Sequence, residues 1–451
     1  MNLDSDTIVA LSSGHLPSGV AVVRLSGPRA LEIGESMAGT LTEPRKAYLR
    51  RIVSLQSRDV LDSGLVIAFP GPHSFTGEDC CELHVHGGKA VVDAILSDLC
   101  SVDSVRLAEA GEFSRRAFEN GKMDLTEIEG LSDLIASETE SQRKLALSQA
   151  GGALRLRLDE WRDEIIRCRA FIEAELDFAD EDDVPGSVSD QVWARVQSLA
   201  DAIARMLDDG RAGEIVREGF RVVLMGEPNA GKSSLLNALA RRDVAIVSDE
   251  AGTTRDLIEV HLNLSGFEVI VTDTAGIRET ASDVESEGIR RANLAAYRAD
   301  LVLWLVPGGQ AIPSDIPGKA VVVHSKCDLS SETETSGLSV SVVLEGGTDD
   351  LLRFLLDRVA RAANLAESGT VTRLRHRELL LGCLNELRRS FEFGSGDITL
   401  ASEHLRRAGD YLGRITGRID VEDLLDVIFS EFCIGKYAVR IHVKQSGAAR
   451  S

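Results

Sequence analysis

The chain lacks the long apolar run that a membrane-spanning helix needs: nothing in it approaches about 20 consecutive hydrophobic residues. Its start, MNLDSDTIVALSSG, has no basic stretch ahead of a short apolar run, so no secretory leader and a cytoplasmic location are expected. Cysteine is scarce and mostly dispersed, seven in 451 residues, which fits neither a disulfide framework nor zinc-ligand spacing. The one vicinal pair, Cys80–Cys81, reads as half-buried strand residues and not as a redox couple. An excess of positive charge is missing too. The net charge of −22 excludes a surface coated in phosphate-binding potential, so any nucleic acid is met by a local patch or brought by a second protein.

What is present is an ordinary globular composition, 43% hydrophobic and 27% charged, over a length that asks for two or three domains. Residues 1–120 mix β-like runs (GVAVVRLSG, SGLVIAF, CCELHVHGG) with the helix-like AVVDAILSDLC, and predict an α+β domain. Residues 121–218 change to apolar positions three and four apart, the mark of amphipathic helices, broken by the acidic turn DFADEDDVPGSV. Residues 219–366 return to alternation: RVVLMG, FEVIVTDTAG, LVLWLV and AVVVHSKCD predict a parallel sheet with crossover helices. Helical periodicity resumes over 367–436, so the α/β domain is inserted into a helical one, and 437–451 form a basic extension. The expected fold is therefore multidomain, with an α/β domain inserted into a helical one that follows an α+β domain.

The stretch GEPNAGKSSLLN, residues 226–237, carries the first chemistry. It follows the apolar RVVLM and opens the helix-forming KSSLLNALARR, so glycines at 226 and 231 let backbone N–H groups converge on phosphates at a helix N-terminus. Asn229, Ala230, Gly231, Lys232, Ser233 and Ser234 are the expected contacts there. Lys232 bridges the outer phosphates and the Ser233 hydroxyl ligates Mg²⁺. A second loop, with Ser248, Asp249, Glu250, Ala251, Gly252 and Thr253, ends in Thr254, a second hydroxyl ligand for Mg²⁺. DTAG follows, placing Asp273 near the metal and Thr274, Ala275 and Gly276 near the γ-phosphate. In SKCD, Asp328 accepts from the guanine N1 and N2 hydrogens while Lys326 lies along the base. Together these features predict a GTPase of the Ras-like class.

Three departures stand out. Ser325 replaces the usual Asn and loses an amide, so guanine specificity with weakened affinity is expected. The Ser-Ala-Lys turn that normally follows survives only as SVV at 341–343, leaving its base contacts open. The Gln that orients the attacking water after Asp-x-x-Gly is absent, and Ile277 can neither donate nor accept. Asn229 suggests a substitute: a K⁺ ion beside the phosphates can stand in electrostatically for an arginine finger.

The motifs GEPNAGKSSLLNAL, AIVSDEAGTTRD, DTAGIRETASDVESEGI, RLSG, FTGED, HVHGG, GEFSRRAFENGKMDLTEIE and IFSEFCIGK, in this order, resemble the MnmE (TrmE) family of tRNA-modifying GTPases over residues 1–436. The resemblance implies K⁺ ligation by Asn229, Ser248, Glu250 and Thr253, and Mg²⁺ ligation by Ser233 and Thr254. It implies that Glu285 positions the water through a second water, that Arg255 and Arg278 are switch arginines, and that hydrolysis needs two GTPase domains face to face in a homodimer. It further implies a 5-formyl- or methylene-tetrahydrofolate site made by Arg24, Glu82, Lys122 and Lys436, and a role for Cys433 in the modification chemistry. The implied partners are tRNA and the flavoprotein MnmG (GidA), in an assembly of two plus two chains. For Cys433 a buried apolar cysteine is the other reading, and 15 residues follow Lys436 where the family usually stops. A ribosome-assembly GTPase and a nucleotide-gated scaffold without one-carbon chemistry are the rival functions.

Overall fold

The computed structural model describes residues 6–177, 188–246, 258–273, 294–308, 310–312, 316, 320–329, 337–363, 370–393 and 397–419. Its contacts separate two units, Met1–Ser132 with Thr416–Ser451, and Asp133–Ile415. Among the described residues no helix is long and apolar enough to cross a membrane.

In the first unit, β1 (Thr7–Leu11), β2 (Ser18–Ser26), β3 (Tyr48–Val53), β4 (Val60–Phe69), β5 (Cys80–Gly87) and β6 (Val105–Leu107) form one sheet in the order β3-β4-β5-β2-β1-β6. All neighbours are antiparallel except β1 and β6. Alternation sets the faces: along β2, Ala21, Val23 and Leu25 are buried while Val22 and Arg24 are only partly covered. The buried set joins Ile33 and Met37 of α1 (Ala30–Ala38) and Val92, Ile95 and Leu96 of α2 (Lys89–Leu99) in one core. Gly34 allows α1 to lie close on β5, because a Cβ there would sit 2.4 Å from the Cys81 sulfur. Cys80 and Cys81 are both fully buried, not half-buried as expected, and burial pushes the Cys81 thiol up to about 12. That environment agrees with the absence of a redox role. Two short helices, α3 (Glu112–Glu119) and α4 (Leu125–Ile135), follow the sheet.

The second unit joins helices to an α/β layer. Helices α5 (Glu140–Ala150), α6 (Ala153–Asp177) and α7 (Val188–Glu218) precede the α/β part in sequence. Its strands are β7 (Phe220–Gly226), β8 (Ile258–Leu264), β9 (Phe267–Asp273), β10 (Leu301–Pro307), β11 (Ala320–Ser325) and β12 (Leu338–Ser339), with α8 (Lys232–Ala240) and α9 (Asp349–Ala363). The order is β12-β11-β10-β7-β9-β8. All neighbours are parallel except β8 and β9, an antiparallel hairpin that departs from the parallel sheet expected. The chain then adds α10 (Leu374–Phe393) and α11 (Ile398–Thr416), whose Leu380, Leu384, Leu405 and Leu412 share a core with Leu158, Ile165, Val196 and Ile203 of α6 and α7. From β7 the connections run to both sides of the sheet, so the crevice beyond the C-terminal ends of β7 and β10 is where a ligand of a doubly wound sheet sits.

Candidate nucleotide site

The loop at that crevice is built from residues with unusual backbones. Gly226 ends β7 at φ 139°, and a Cβ there would lie 2.5 Å from the Leu305 carbonyl oxygen of β10. Asn229 takes φ 65° and Gly231 φ 97°, directly before the first residue of α8. Asn is among the few side chains that tolerate this region, and glycine enters it without strain. The turn delivers the backbone N–H groups of the α8 N-terminus to the mouth of the crevice, where the helix dipole favours an anion.

Lys232 folds over the loop, its Nζ donating to the carbonyls of Gly226 at 2.8 Å and Glu227 at 2.9 Å. Burial holds its pKa below the usual lysine value. Ser233 Oγ donates to Asp273 Oδ2 at 2.6 Å, joining the start of α8 to the end of β9. A hydroxyl beside a carboxylate is a hard-oxygen pair, the donor type that Mg²⁺ selects. Ser234 is exposed one position on.

On the far side, Lys326 stands at φ 56° and its Nζ donates to the Asn229 carbonyl at 2.7 Å. Asp328 lies in the short turn Cys327–Leu329, where Ser341 Oγ donates to its Oδ1 at 2.7 Å. The SVV segment therefore supplies an orienting group for Asp328. Sequence alone left that contact open, because it depends on how two loops meet. Ser325 donates to the Ala230 carbonyl at 2.6 Å. So Asn229, Ala230, Gly231, Lys232, Ser233, Asp273, Lys326 and Asp328 are gathered around one crevice. Ser248, Asp249, Glu250, Ala251, Gly252, Thr253, Thr254, Thr274, Ala275, Gly276 and Glu285, with Arg255, Ile277 and Arg278, lie outside the described residues, as do Cys433 and Lys436.

A second constellation occupies the first unit. Arg24 on β2 faces Glu82 on β5 in direct register, with Nη2 2.8 Å from Oε1 and Nε donating to the same oxygen at 2.9 Å. The guanidinium lies over the rings of Phe75 and Phe113, 5.2 and 5.7 Å from their centroids. His84 Nε2 is 3.1 Å from the other Glu82 oxygen, while His86 pairs with Asp62, so the two histidines serve different carboxylates. Lys122 passes its stem over Gly77 and donates to the Pro72 carbonyl at 2.9 Å. Arg24 on β2 and Lys122 in the turn after α3 thus meet the same loop, 72–77. The aromatic floor was not foreseen, since nothing in the spacing of Phe75 and Phe113 links them to Arg24.

Comparison with known proteins places these sites in context. Residues 125–433 match the family model of the MnmE helical domain, and residues 7–122 that of the GTP-binding protein TrmE N-terminus. The tRNA modification GTPase MnmE of Brucella anthropi is 52% identical over 435 residues, covering 96% of this chain and 98% of that protein. The protein of the same name from Rhizobium meliloti is 52% identical over 443 residues, covering 96% of this chain and 100% of that protein. Among solved structures, the G domain of the T. maritima FeoB iron transporter covers 32% of this chain at 23% identity, with a TM-score of 0.23 too low to bear on function. With both family models matched and half of all residues identical to these relatives across nearly the full length, the chain belongs to the MnmE family of tRNA modification GTPases.

Proposed function

We propose that the chain is a K⁺-dependent GTPase that works with the flavoprotein MnmG on certain tRNAs. Together they install an aminomethyl or carboxymethylaminomethyl group on carbon 5 of the wobble uridine, using a tetrahydrofolate one-carbon unit. The observation that carries the nucleotide half is the joining of Lys232, the Ser233–Asp273 pair and Asp328 around one crevice. Lys232 neutralises the outer phosphates, the N–H groups of 229–233 orient them, and Asp328 selects guanine by accepting from its N1 and N2 hydrogens. Mg²⁺, held by Ser233 and Thr254, supplies charge neutralisation between the β- and γ-phosphates when bound. With Ile277 inert, Glu285 orients the attacking water through a second water. Asn229, Thr253 and the carbonyls of Ser248 and Glu250 hold K⁺ when two such domains meet.

The one-carbon half rests on Arg24 and Glu82. A carboxylate suits the donor-rich edge of a pterin, and guanidinium and ammonium groups suit glutamate carboxylates, so Arg24, Glu82, Lys122 and Lys436 form a chemically coherent folate set. The face of the sheet away from α1 and α2 leaves Leu49 and Leu65, paired directly across β3 and β4, 70% and 40% exposed. This uncovered apolar pair, in register with His84 of β5 two positions from Glu82, supports a homodimer formed there, with folate at its interface. Cys433 takes part in the modification chemistry, and the complex contains two copies each of this chain and MnmG.

The test is mass spectrometry of wobble uridines from a strain deleted for this gene and complemented with variants. Wild type restores the modified nucleoside; Lys232→Ala and Arg24→Ala do not. Full restoration by Arg24→Ala removes the one-carbon reading and leaves the GTPase intact.

A further inference from the structure

Ser325 stands where GTPases of this class carry Asn, and its side chain is committed elsewhere than to a base. The residue is 3% exposed at the end of β11, and its Oγ donates to the carbonyl of Ala230, itself 1% exposed. The next residue repeats the tie: Lys326 Nζ donates to the Asn229 carbonyl at 2.7 Å. Two consecutive residues of the base-recognition turn are thereby fastened to two consecutive carbonyls of the phosphate loop. The loops touch at this point, since a Cβ on Gly231 would lie 3.8 Å from both Ser325 Cβ and Oγ. Asn229 and Lys326 are both held at positive φ, a conformation that persists where the surroundings enforce it.

A serine hydroxyl has one proton to donate, whereas an amide has two. At 2.6 Å the Ser325 proton is fully engaged by Ala230, and none remains for a carbonyl on a purine. Asp328, oriented through Oδ1 by Ser341, keeps its other oxygen and remaining lone pairs for the base.

We propose that Ser325 is a positioning residue that clamps the phosphate loop to the base-recognition turn and takes no part in reading the base, leaving guanine selection to Asp328. This rests on the nucleotide-site reading above. Its consequence is specific: loss of the hydroxyl weakens every triphosphate of this shape by one common factor, whatever its base.

The experiment measures equilibrium binding of GTP, of 6-thio-GTP, whose sulfur is a poorer acceptor than the 6-carbonyl, and of 7-deaza-GTP, which lacks N7, to the full-length protein, with circular dichroism confirming that each variant is folded. Ser325→Ala is expected to weaken all three nucleotides about 10-fold, equivalent to about 1.4 kcal/mol, and to leave the ratios of their affinities unchanged. Ser325→Thr or Ser325→Asn, each able to donate to Ala230, recovers most of the loss. A changed ratio in Ser325→Ala overturns the proposal, because Ser325 then reads the base. Unchanged affinity overturns it, because the clamp is then idle. Failure of both rescuing variants overturns it as well. Failure of the wild type to bind GTP is a different result, and defeats the nucleotide-site reading itself.

Discussion

At the scale of single residues, the proposed guanine selection rests on Asp328. Its carboxylate only accepts, so it matches the two donors on the guanine edge; an amide in its place offers a donor to the 2-oxo group of xanthine. Asp328→Asn is therefore expected to weaken GTP by about 10²-fold or more and to improve XTP, measured by competition binding, because buried polar groups left unpaired discriminate strongly. Glu285→Ala is expected to lower kcat by about 10²-fold while GTP affinity survives, since in the proposed mechanism the residue acts on water and not on phosphate. A mutant with normal kcat points instead to Glu279 or Asp283, two other carboxylates in the stretch IRETASDVESEGI after DTAG. At this scale the phosphate loop was legible in the sequence, because each of Gly226, Gly231, Lys232 and Ser233 has a job that few other residue types can do. The Arg24–Glu82 pair, 58 positions apart, came from family resemblance and not from any pattern. The roles of Ser325 and Ser341 were illegible for another reason: each hydroxyl finds its partner on a loop distant in sequence.

Among the elements that the sequence conceals, β8, the partner of β9 in a hairpin, bears most on the site. IEVHLNL alternates apolar and polar residues and lacks the continuous apolar run that marks the parallel strands. Its position matters. One end, where Ile258 pairs with Asp273, adjoins both segments that carry the phosphate-sensing motifs; the other, at Gly266, accepts a hydrogen bond from the Ser141 N–H of α5 at 3.0 Å. Near that end Glu268 accepts from Gln142 Nε2 at 2.6 Å and pairs with His261 Nδ1 at 2.7 Å. Gln142 also closes the capping box of α5 with Thr139, so Thr139→Ala is expected to cost about 1 kcal/mol in denaturant melts. The hydrogen bond to Glu268 raises the His261 pKa above its ordinary 6.5. A raised folded-state pKa contributes stability that is complete below 6.5 and fades as pH climbs through the higher folded value. Thermal melts from acid to alkaline pH are expected to show this loss in the wild type and a flatter profile in Glu268→Gln. Identical profiles contradict the assignment.

For the molecule as a whole, the net charge of −22 and the missing Gln set the terms. An acidic chain has no general affinity for RNA, so tRNA modification on this scaffold calls for a localised contact or a companion protein, which the proposed MnmG complex provides. Catalysis without the Gln calls for another source of charge at the phosphates, and the proposed source is K⁺ held at Asn229 as two GTPase domains come together. The most direct measurement is GTP turnover by the full-length protein in K⁺ and in Na⁺ at equal ionic strength, for the wild type and for Asn229→Ala. Turnover about 10²-fold faster in K⁺ is expected, the scale of one preorganised electrostatic group, with most of that stimulation lost in Asn229→Ala while nucleotide binding persists. Equal wild-type rates in the two salts would contradict it.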